Sequence, residues 1–286
     1  MAFTEELLLP SRGIIYRLQN FDGTVKVKPF TTKAYKDLLA ANASETGLRQ
    51  FIDSCLVDCP VKAKDMNQED LLAALFKARV MTLGNTLKMQ VRCPECKHVE
   101  DLEWDLNSIE INYLYVDKYP IPVTLPNGKE IKVRFPTGAD VNRARQEADR
   151  RAGIFKKQAS DFLQIYTTVA LLDIDGKDIV EKADWYEGLN PHDAIYIDEV
   201  FSEMNSSFGV KMTREAHCSV CDKLFTTYID IGSDFFRPDR NVHLGITSKK
   251  GNLAGTSEES NLPSEASEDI VHREWRDVLF GIHQCS

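Results

Sequence analysis

The chain has 286 residues, of which 43% are hydrophobic and 28% charged, and its formal net charge is −9. This is a globular composition, and its acidic average argues against a general nucleic-acid binder, although a local basic patch could still exist. No apolar run approaches the roughly 18 residues that span a bilayer, and residues 1–10 lack the basic start of a signal peptide. We therefore expect a protein made in a reducing cytoplasm, whose seven cysteines are thiols or metal ligands rather than disulfides.

The first half of the chain predicts a hairpin, three helices and a pair of strands. Asp22-Gly23 supplies the positive φ that a tight turn needs, so the residues on either side of it should pair. Thr31-Thr32 can cap the first helix, and Asn67 is a good N-cap for the third, with Asp70 at the position that completes a capping box. The predicted elements are strands at 14–16 and 25–28, helices at 33–42, 48–57 and 68–83, and strands at 86–91 and 99–106.

The second half begins in the same way. Asn127-Gly128 predicts another tight turn between two strands, Thr137 can cap the helix that follows, and Asn190 with Pro191 marks a later helix start. The predicted elements are strands at 122–125 and 131–134, helices at 139–152, 159–172 and 191–206, a short strand, and a strand at 224–231.

The two halves can be aligned with each other. A shift of 125 positions places Gly84 on Gly209, and the strands of the two hairpins match at a shift of 106. We interpret this as an internal duplication, with a first module at residues 1–118 and a second at 119–244. The alternative is that two similar α+β stretches resemble each other without common descent.

The last part of the sequence has a different character. Residues 245–268 are rich in Ser, Gly, Glu, Asn and Lys without an apolar period, which predicts a flexible linker. Residues 269–286 then predict a short amphipathic tail helix that either docks on its own chain or inserts into a groove of a partner; the long tether favours the partner. Its apolar side consists of Ile270, Val271, Trp275, Val278, Leu279 and Ile282.

Two CxxC turns carry the strongest chemical signal. Cys93 and Cys96 form one turn and Cys218 and Cys221 the other, each between two predicted strands. Two such turns complete a tetrahedron of thiolates around zinc, and a closed site of this kind is structural because it leaves no open coordination position. The duplication brings the distant turns together, so we predict one structural zinc per chain. Nearby bases would offset the charge of the site: Arg92, Lys97, His98, His217 and Lys223.

Other interpretations of the cysteines are weaker but stay open. The turns could be unmetallated, or they could serve a thiol oxidoreductase. Redox CxxC pairs normally lie at a helix N-terminus, whereas these lie between strands. Cys55 and Cys59 are predicted to be small buried hydrophobes near a helix end, and Cys285 is incidental.

No catalytic motif is found, since the sequence lacks a P-loop, GxGxxG, GxSxG and HExxH.

One basic stretch remains to be explained, and a solvated helix face is the favoured interpretation. The alternative is a docking patch for an acidic protein or for nucleic acid. Binding of nucleic acid through this patch would make the protein a zinc-ribbon nucleic-acid-binding regulator. The stretch comprises Arg143, Arg145, Arg150, Arg151, Lys156 and Lys157.

The order of several short motifs resembles a known family. LPSRGIIY at residues 9–16 is followed by VKVKPFTT at 25–32, then by Leu83-Gly84 and by the CPEC turn at 93–96. This order resembles the baseplate hub proteins of contractile-tailed phages of the T-even type, over about residues 7–235. Residues 245–286 are an extension outside that pattern.

The resemblance implies a non-enzymatic component of the tail baseplate, or an assembly factor for its central hub, that binds other tail proteins. It implies no small-molecule substrate and no membrane, synthesis in the host cytoplasm and a place in the virion tail. Together with the motifs, it predicts an α+β protein whose two related halves pack around a shared four-cysteine, zinc-ribbon-like site.

Overall fold

A computed structural model describes residues 3–41, 44–174, 176–232 and 234–236. The predicted linker at 245–268 and the predicted tail helix at 269–286, with its apolar side, lie outside the described residues. Within them, seven α-helices and twelve short strands give an α+β fold, as predicted. No helix in the described ranges is long and apolar enough to cross a membrane.

The first half contains three helices and six strands. Thr31 caps the first helix through its hydroxyl, and Asn67 caps the third by accepting from the backbone N of Glu69 at 2.9 Å. Both caps were predicted. The elements are β1 Glu5–Leu8, β2 Thr24–Val27, α1 Thr32–Ala40, α2 Glu45–Cys55, β3 Leu56–Val57, α3 Gln68–Leu83, β4 Thr86–Arg92, β5 Val99–Asp105 and β6 Ile111–Asn112.

The second half contains four helices and six strands. Thr137 caps a helix in a full capping box with Asp140, and Asn190 caps another whose first residue is Pro191, so both predicted starts are confirmed. The elements are β7 Ile121–Thr124, β8 Glu130–Val133, α4 Gly138–Phe155, α5 Ser160–Ala170, β9 Leu172–Asp173, α6 Ile179–Glu187, α7 Pro191–Ser206, β10 Gly209–Val210, β11 Thr213–His217 and β12 Leu224–Tyr228.

All the strand pairs among the described residues are antiparallel, and most join neighbours in the sequence. Each half has a three-stranded sheet, in the orders β1-β2-β3 and β7-β8-β9, and a separate hairpin, β4-β5 or β11-β12. The predicted second hairpin is confirmed, with Ile121 opposite Val133. One short ladder, between β6 and β10, joins the two halves. Five short strands and one helix had no predicted counterpart: β1, β3, β6, β9, β10 and α6.

The prediction of a strand at residues 14–16 was wrong. Ile14–Tyr16 is a 3-10 helix, and β2 pairs instead with β1, which places Leu7 opposite Val25. The reason is the backbone at Gly13, whose φ is 71° and where a Cβ would lie 2.8 Å from the backbone N of Gly23. Only glycine fits this close approach without strain, so the chain turns here instead of extending.

Asp70 also differs from its predicted role in a capping box. Its fully buried carboxylate accepts from the backbone N of Ser11 at 2.8 Å, from the Ser11 hydroxyl at 2.6 Å and from the Tyr16 hydroxyl at 2.6 Å. Burial raises the pKa of Asp70, and these hydrogen bonds oppose that effect. The N-terminus of α3 thus holds residues 11–16 in place.

Two apolar cores fill the described part of the molecule, and each draws on both halves. The core around α2 and α3 also contains Ile229, Ile231 and Phe235 from the end of the described chain. The core around α5 and α7 also contains Ile15. The halves therefore interlock, and the proposed module boundary between residues 118 and 119 stays a prediction.

Candidate metal centre

The first CxxC turn closes the β4-β5 hairpin. The backbone N of Cys93 donates to the carbonyl oxygen of His98 at 2.8 Å, and the N of Lys97 donates back to Cys93 O at 3.1 Å. Lys97 has a φ of 63°, which lets the chain reverse tightly after the second cysteine. The two thiols are therefore presented from one narrow turn at the end of a seven-residue ladder.

The second turn closes the β11-β12 hairpin with the same bonds. The backbone N of Cys218 donates to Lys223 O at 2.9 Å, the N of Asp222 donates to Cys218 O at 3.1 Å, and the φ of Asp222 is 60°. Each residue lies 125 positions after its counterpart in the first turn. The two turns therefore present their sulfur atoms in the same local geometry.

The four predicted ligands come together in one cluster. The Sγ atoms of Cys93 and Cys221 are 3.6 Å apart, those of Cys96 and Cys218 are 3.5 Å apart, and all four lie within 4.8 Å of one another. Four thiolates around zinc at about 2.3 Å form a tetrahedron with edges of about 3.8 Å. The cluster therefore has the size and the donor set of a tetrathiolate zinc site.

The protonation of the cluster also favours a cation. Burial raises the pKa of Cys93, but backbone N–H groups of Cys96 and Glu95 outweigh it and lower the pKa to about 7. For Cys221, the backbone N–H of Lys223 lowers the pKa, but burial and the neighbouring thiols together outweigh it and raise the pKa to about 12. The four sulfurs cannot all be ionised side by side without a positive charge among them, and a divalent ion supplies it.

A carboxylate braces one turn against the other. Glu100, on β5, accepts from the backbone N of Ser219 at 2.6 Å and from the Ser219 hydroxyl at 2.7 Å. These hydrogen bonds lower the pKa of Glu100. Sequence reasoning missed this brace, because Glu100 and Ser219 are 119 positions apart and become neighbours only when the hairpins meet.

Three of the five predicted basic neighbours contact groups other than the sulfur atoms. His217 Nε2 lies 2.6 Å from an Asp222 carboxylate oxygen, and His98 Nε2 lies 3.7 Å from Glu100. The ammonium of Lys97 donates to Pro94 O at 2.8 Å, across its own turn. In the part of the chain that the structure describes, the sulfur cluster contains four cysteines and neither histidine.

The other described cysteines lie apart from the cluster. Cys55 is buried in the first core, as predicted, and burial raises its pKa to about 11. Cys59 packs against the same core, and burial raises its pKa as well. Cys285 is outside the described residues. The structure thus separates two packing cysteines from the four that could hold a metal.

Several side chains of the predicted basic stretch form ion pairs or hydrogen bonds within the molecule. Arg145 bonds to Glu45 of α2 at 2.7 Å, Arg150 pairs with Glu147, and Arg151 donates to the Tyr166 hydroxyl at 2.6 Å. These guanidinium groups hold α4 against its neighbours or lie along its own surface. The arrangement supports the predicted helix face rather than a nucleic-acid site.

The comparisons with known proteins point to one family. Residues 9–237 match the family model described as T4 bacteriophage base plate protein. Neither the curated proteins nor the solved structures contain a match to the chain.

Proposed function

The chain belongs to the T4 bacteriophage base plate protein family, and on that premise we propose that it is a component or assembly factor of the central hub. Its role in the phage tail baseplate is structural. We propose that it binds other tail proteins, has no small-molecule substrate and catalyses no reaction. It is made in the host cytoplasm and then joins the virion tail. The family match over residues 9–237 is the observation that carries this proposal.

We propose that Cys93, Cys96, Cys218 and Cys221 hold one zinc ion per chain. The support is the sulfur geometry, with both short Sγ–Sγ distances running between the halves. A thiolate-bound ion at this point ties the two hairpins together without a disulfide, which suits a part assembled in a reducing cytoplasm. All four positions are filled by protein, so the ion stabilises the fold.

We also propose that the two halves arose by duplication of one hairpin–helices–knuckle module. In each half, the residue after the central strand bonds to the end of the second helix. Lys28 N donates to Cys55 O at 2.9 Å, and Arg134 N donates to Leu171 O at 2.8 Å. Chance similarity of two α+β stretches does not require the same bond in the same place.

The last long helix of each half supports the same proposal. Both α3 and α7 have 16 residues, an asparagine cap and a fully buried aspartate three positions after the cap. Asp70 holds residues 11–16, and Asp193 accepts from the backbone N of Asn127 at 3.1 Å, in the turn of the second hairpin. Each aspartate therefore fixes a loop next to its own half's first hairpin.

The tail helix is the proposed contact with a partner. Its apolar side, from Ile270 to Ile282, follows a linker long enough to reach a neighbouring protein. We propose that this side inserts into a groove of another baseplate protein, because a docked helix buries apolar residues that would otherwise face water.

Metal analysis of the purified full chain tests the zinc proposal. We expect one zinc per chain, retained through gel filtration under reducing conditions. Protein that contains no zinc after expression and purification with zinc supplied would contradict it.

Co-expression with the other baseplate proteins of the same phage tests the hub proposal. We expect a defined complex in gel filtration that is lost when residues 267–286 are removed, while the melting temperature changes by less than about 2 °C. A control with Trp275→Ala alone should weaken the complex. If the full chain joins no baseplate protein, the hub proposal fails while the zinc result stands.

A further inference from the structure

Charges of opposite sign are separated along the helices of the second half. Residues 150–161, where α4 ends and α5 begins, contain four cationic side chains and one acid. Helices α6 and α7 together contain seven acids and one lysine, and α7 has neither lysine nor arginine. Two surfaces of opposite sign on one chain can bind each other between copies of that chain.

The end of α4 exposes two large apolar side chains next to its cations. Ile154 is 59% exposed and Phe155 is 52% exposed. The helix ends at Lys156, whose φ of 53° reverses the chain, and both Lys156 and Lys157 are exposed. The apolar pair and the two ammonium groups therefore lie side by side at one end of the helix. We call residues 154–157 the basic tip.

Aromatic contacts join the basic tip to α5. The ring of Phe155 lies 6.0 Å from that of Phe162. The Arg151 guanidinium lies 5.5 Å from the Phe155 ring, and the Lys157 ammonium lies 5.9 Å from the Phe162 ring. A helix C-terminus favours nearby cations, which accounts for the lysines but not for the exposed Ile154 and Phe155. Exposed apolar side chains with a charged rim are typical of a surface that binds protein.

Helix α7 presents an acidic stripe to solvent. Its buried residues belong to the second core, and the opposite side of the helix is exposed. Side chains three or four positions apart are neighbours on a helix surface. Ile195 is 57% exposed, so this stripe also combines an apolar side chain with charges of one sign. We call it the acidic face, and it consists of Ile195, Asp198, Glu199 and Glu203.

Four charged groups of these two surfaces take part in no ion pair within the described residues. They are Lys156, Lys157, Glu199 and Glu203. Asp198 differs from them, because it accepts from the Tyr186 hydroxyl at 3.2 Å. The four groups are therefore available to a partner of opposite charge.

The basic tip and the acidic face complement each other. The tip offers ammonium groups beside Ile154 and Phe155, and the face offers carboxylates beside Ile195. Contact between them would pair the charges and remove three apolar side chains from water. Both surfaces are exposed in the single chain, so they do not cover each other within one molecule. A second copy of the chain supplies the matching surface for each.

We propose that the protein self-associates, with the basic tip of one copy bound to the acidic face of another. The two lysines of the tip pair with Glu199 and Glu203, and Ile195 packs against Ile154 and Phe155. Because the contact joins two different surfaces, it is either reciprocal in a dimer or repeated around a ring or along a filament. This inference goes beyond the hub role and does not depend on the metal.

Sedimentation velocity of the full chain at increasing protein concentration tests the proposal. We expect an association that salt weakens, because exposed ion pairs are screened. Lys156→Glu with Lys157→Glu should weaken it at least about tenfold, since like charges then face each other. Glu199→Lys with Glu203→Lys should do the same. An equal mixture of the two double variants should associate again, because the altered surface of each meets its opposite charge on the other.

Two further variants separate this contact from a general effect of charge. Ile195→Ser should weaken the association without changing the net charge, because it removes an apolar contact. Lys33→Glu with Lys36→Glu changes the net charge as much as the tip variant does, at exposed positions of α1, and should associate like the unchanged protein. Melting temperatures close to that of the unchanged protein would show that the variants fold.

Three outcomes would overturn the proposal. The full chain could stay monomeric at every concentration and at low salt, which would leave the two surfaces to other proteins. The control on α1 could weaken association as much as the tip variant, which would make net charge the cause. The mixture of the two double variants could stay monomeric, which would show that the tip and the face do not meet.

Discussion

The Tyr16 hydroxyl donates to the Asp70 carboxylate at 2.6 Å and accepts from the backbone N of Asn67 at 3.0 Å. One side chain therefore satisfies both the buried acid and an otherwise unpaired N–H at the start of α3. Ser11 supplies the other two donors to Asp70. These contacts explain the serine and the tyrosine of the LPSRGIIY segment, from which the family resemblance begins, and the close approach of Gly13 to Gly23 explains its glycine.

Tyr16→Phe should destabilise the protein by about 1–3 kcal/mol, because it leaves a buried carboxylate and a buried N–H each short of a partner. Urea unfolding of the full chain measures this. Tyr115→Phe is the matched control, since the Tyr115 side chain is 75% exposed, and its effect should stay within about 0.5 kcal/mol. Equal effects from the two variants would show that the bonds of the Tyr16 hydroxyl contribute nothing to stability.

Two glycines of α4 should respond in opposite ways to alanine. A Cβ at Gly138 would overlap the carbonyl oxygen of Lys64, whereas at Gly153 it would meet nothing within 4 Å. Gly138→Ala should therefore force the first turn of α4 away from the first half and cost about 1–3 kcal/mol. Gly153→Ala should be neutral or stabilise by up to about 1 kcal/mol. Thermal unfolding of both variants checks the signs, and a stable Gly138→Ala would contradict the close contact.

Removing one cysteine of the cluster should release the metal. In Cys218→Ala we expect the zinc content to fall well below one per chain, because three thiolates leave the tetrahedron incomplete. Cys59→Ala is the control and should keep its zinc.

A chelator added to the unchanged protein should speed the alkylation of the four cluster cysteines. Cys55, whose pKa burial raises to about 11, should stay slow. Metal retention in Cys218→Ala would argue for different ligands.

The brace from Glu100 should tighten the metal site. Glu100→Ala removes both hydrogen bonds to Ser219 and frees the second turn, so zinc affinity should fall by about 10–100-fold, the range seen for groups that orient metal ligands. Competition with a coloured chelator measures this. Asp101→Ala, on the same strand but bonded to Gln90, is the control and should bind zinc like the unchanged protein. An unchanged affinity in both would mean that the turns hold their positions without the brace.

The basic face of α4 should not bind DNA appreciably. Arg145, Arg150 and Arg151 already pair within the molecule, so few cations are left for phosphates. A gel shift with duplex DNA at low salt should show little complex, and Lys156→Glu with Lys157→Glu should change nothing. Tight binding that falls steeply with salt would instead favour the nucleic-acid regulator.

Much of the secondary structure could be predicted because its signals are local. The caps at Thr31, Asn67, Thr137 and Asn190 depend on a side chain and an N–H two or three residues later, and all four are where the sequence places them. The second hairpin likewise follows from its Asn-Gly turn. Strands of two residues, such as β3 and β9, carry no period and were missed, because only their neighbours make them strands.

The sequence alone also identified the four cysteines of the cluster, since the CxxC spacing within each turn is a local property of the chain. That the two pairs meet was predicted only through the proposed duplication, and the cluster of four Sγ atoms agrees with that prediction. The sequence could not show that Glu100 and Asp70 face donors far away in the chain. It misplaced the first strand of the first hairpin, because the turn at Gly13 depends on the backbone of Gly23 and on α3. Contacts of this kind are decided by the packing of the two interlocked cores, which sets distances that no local pattern encodes.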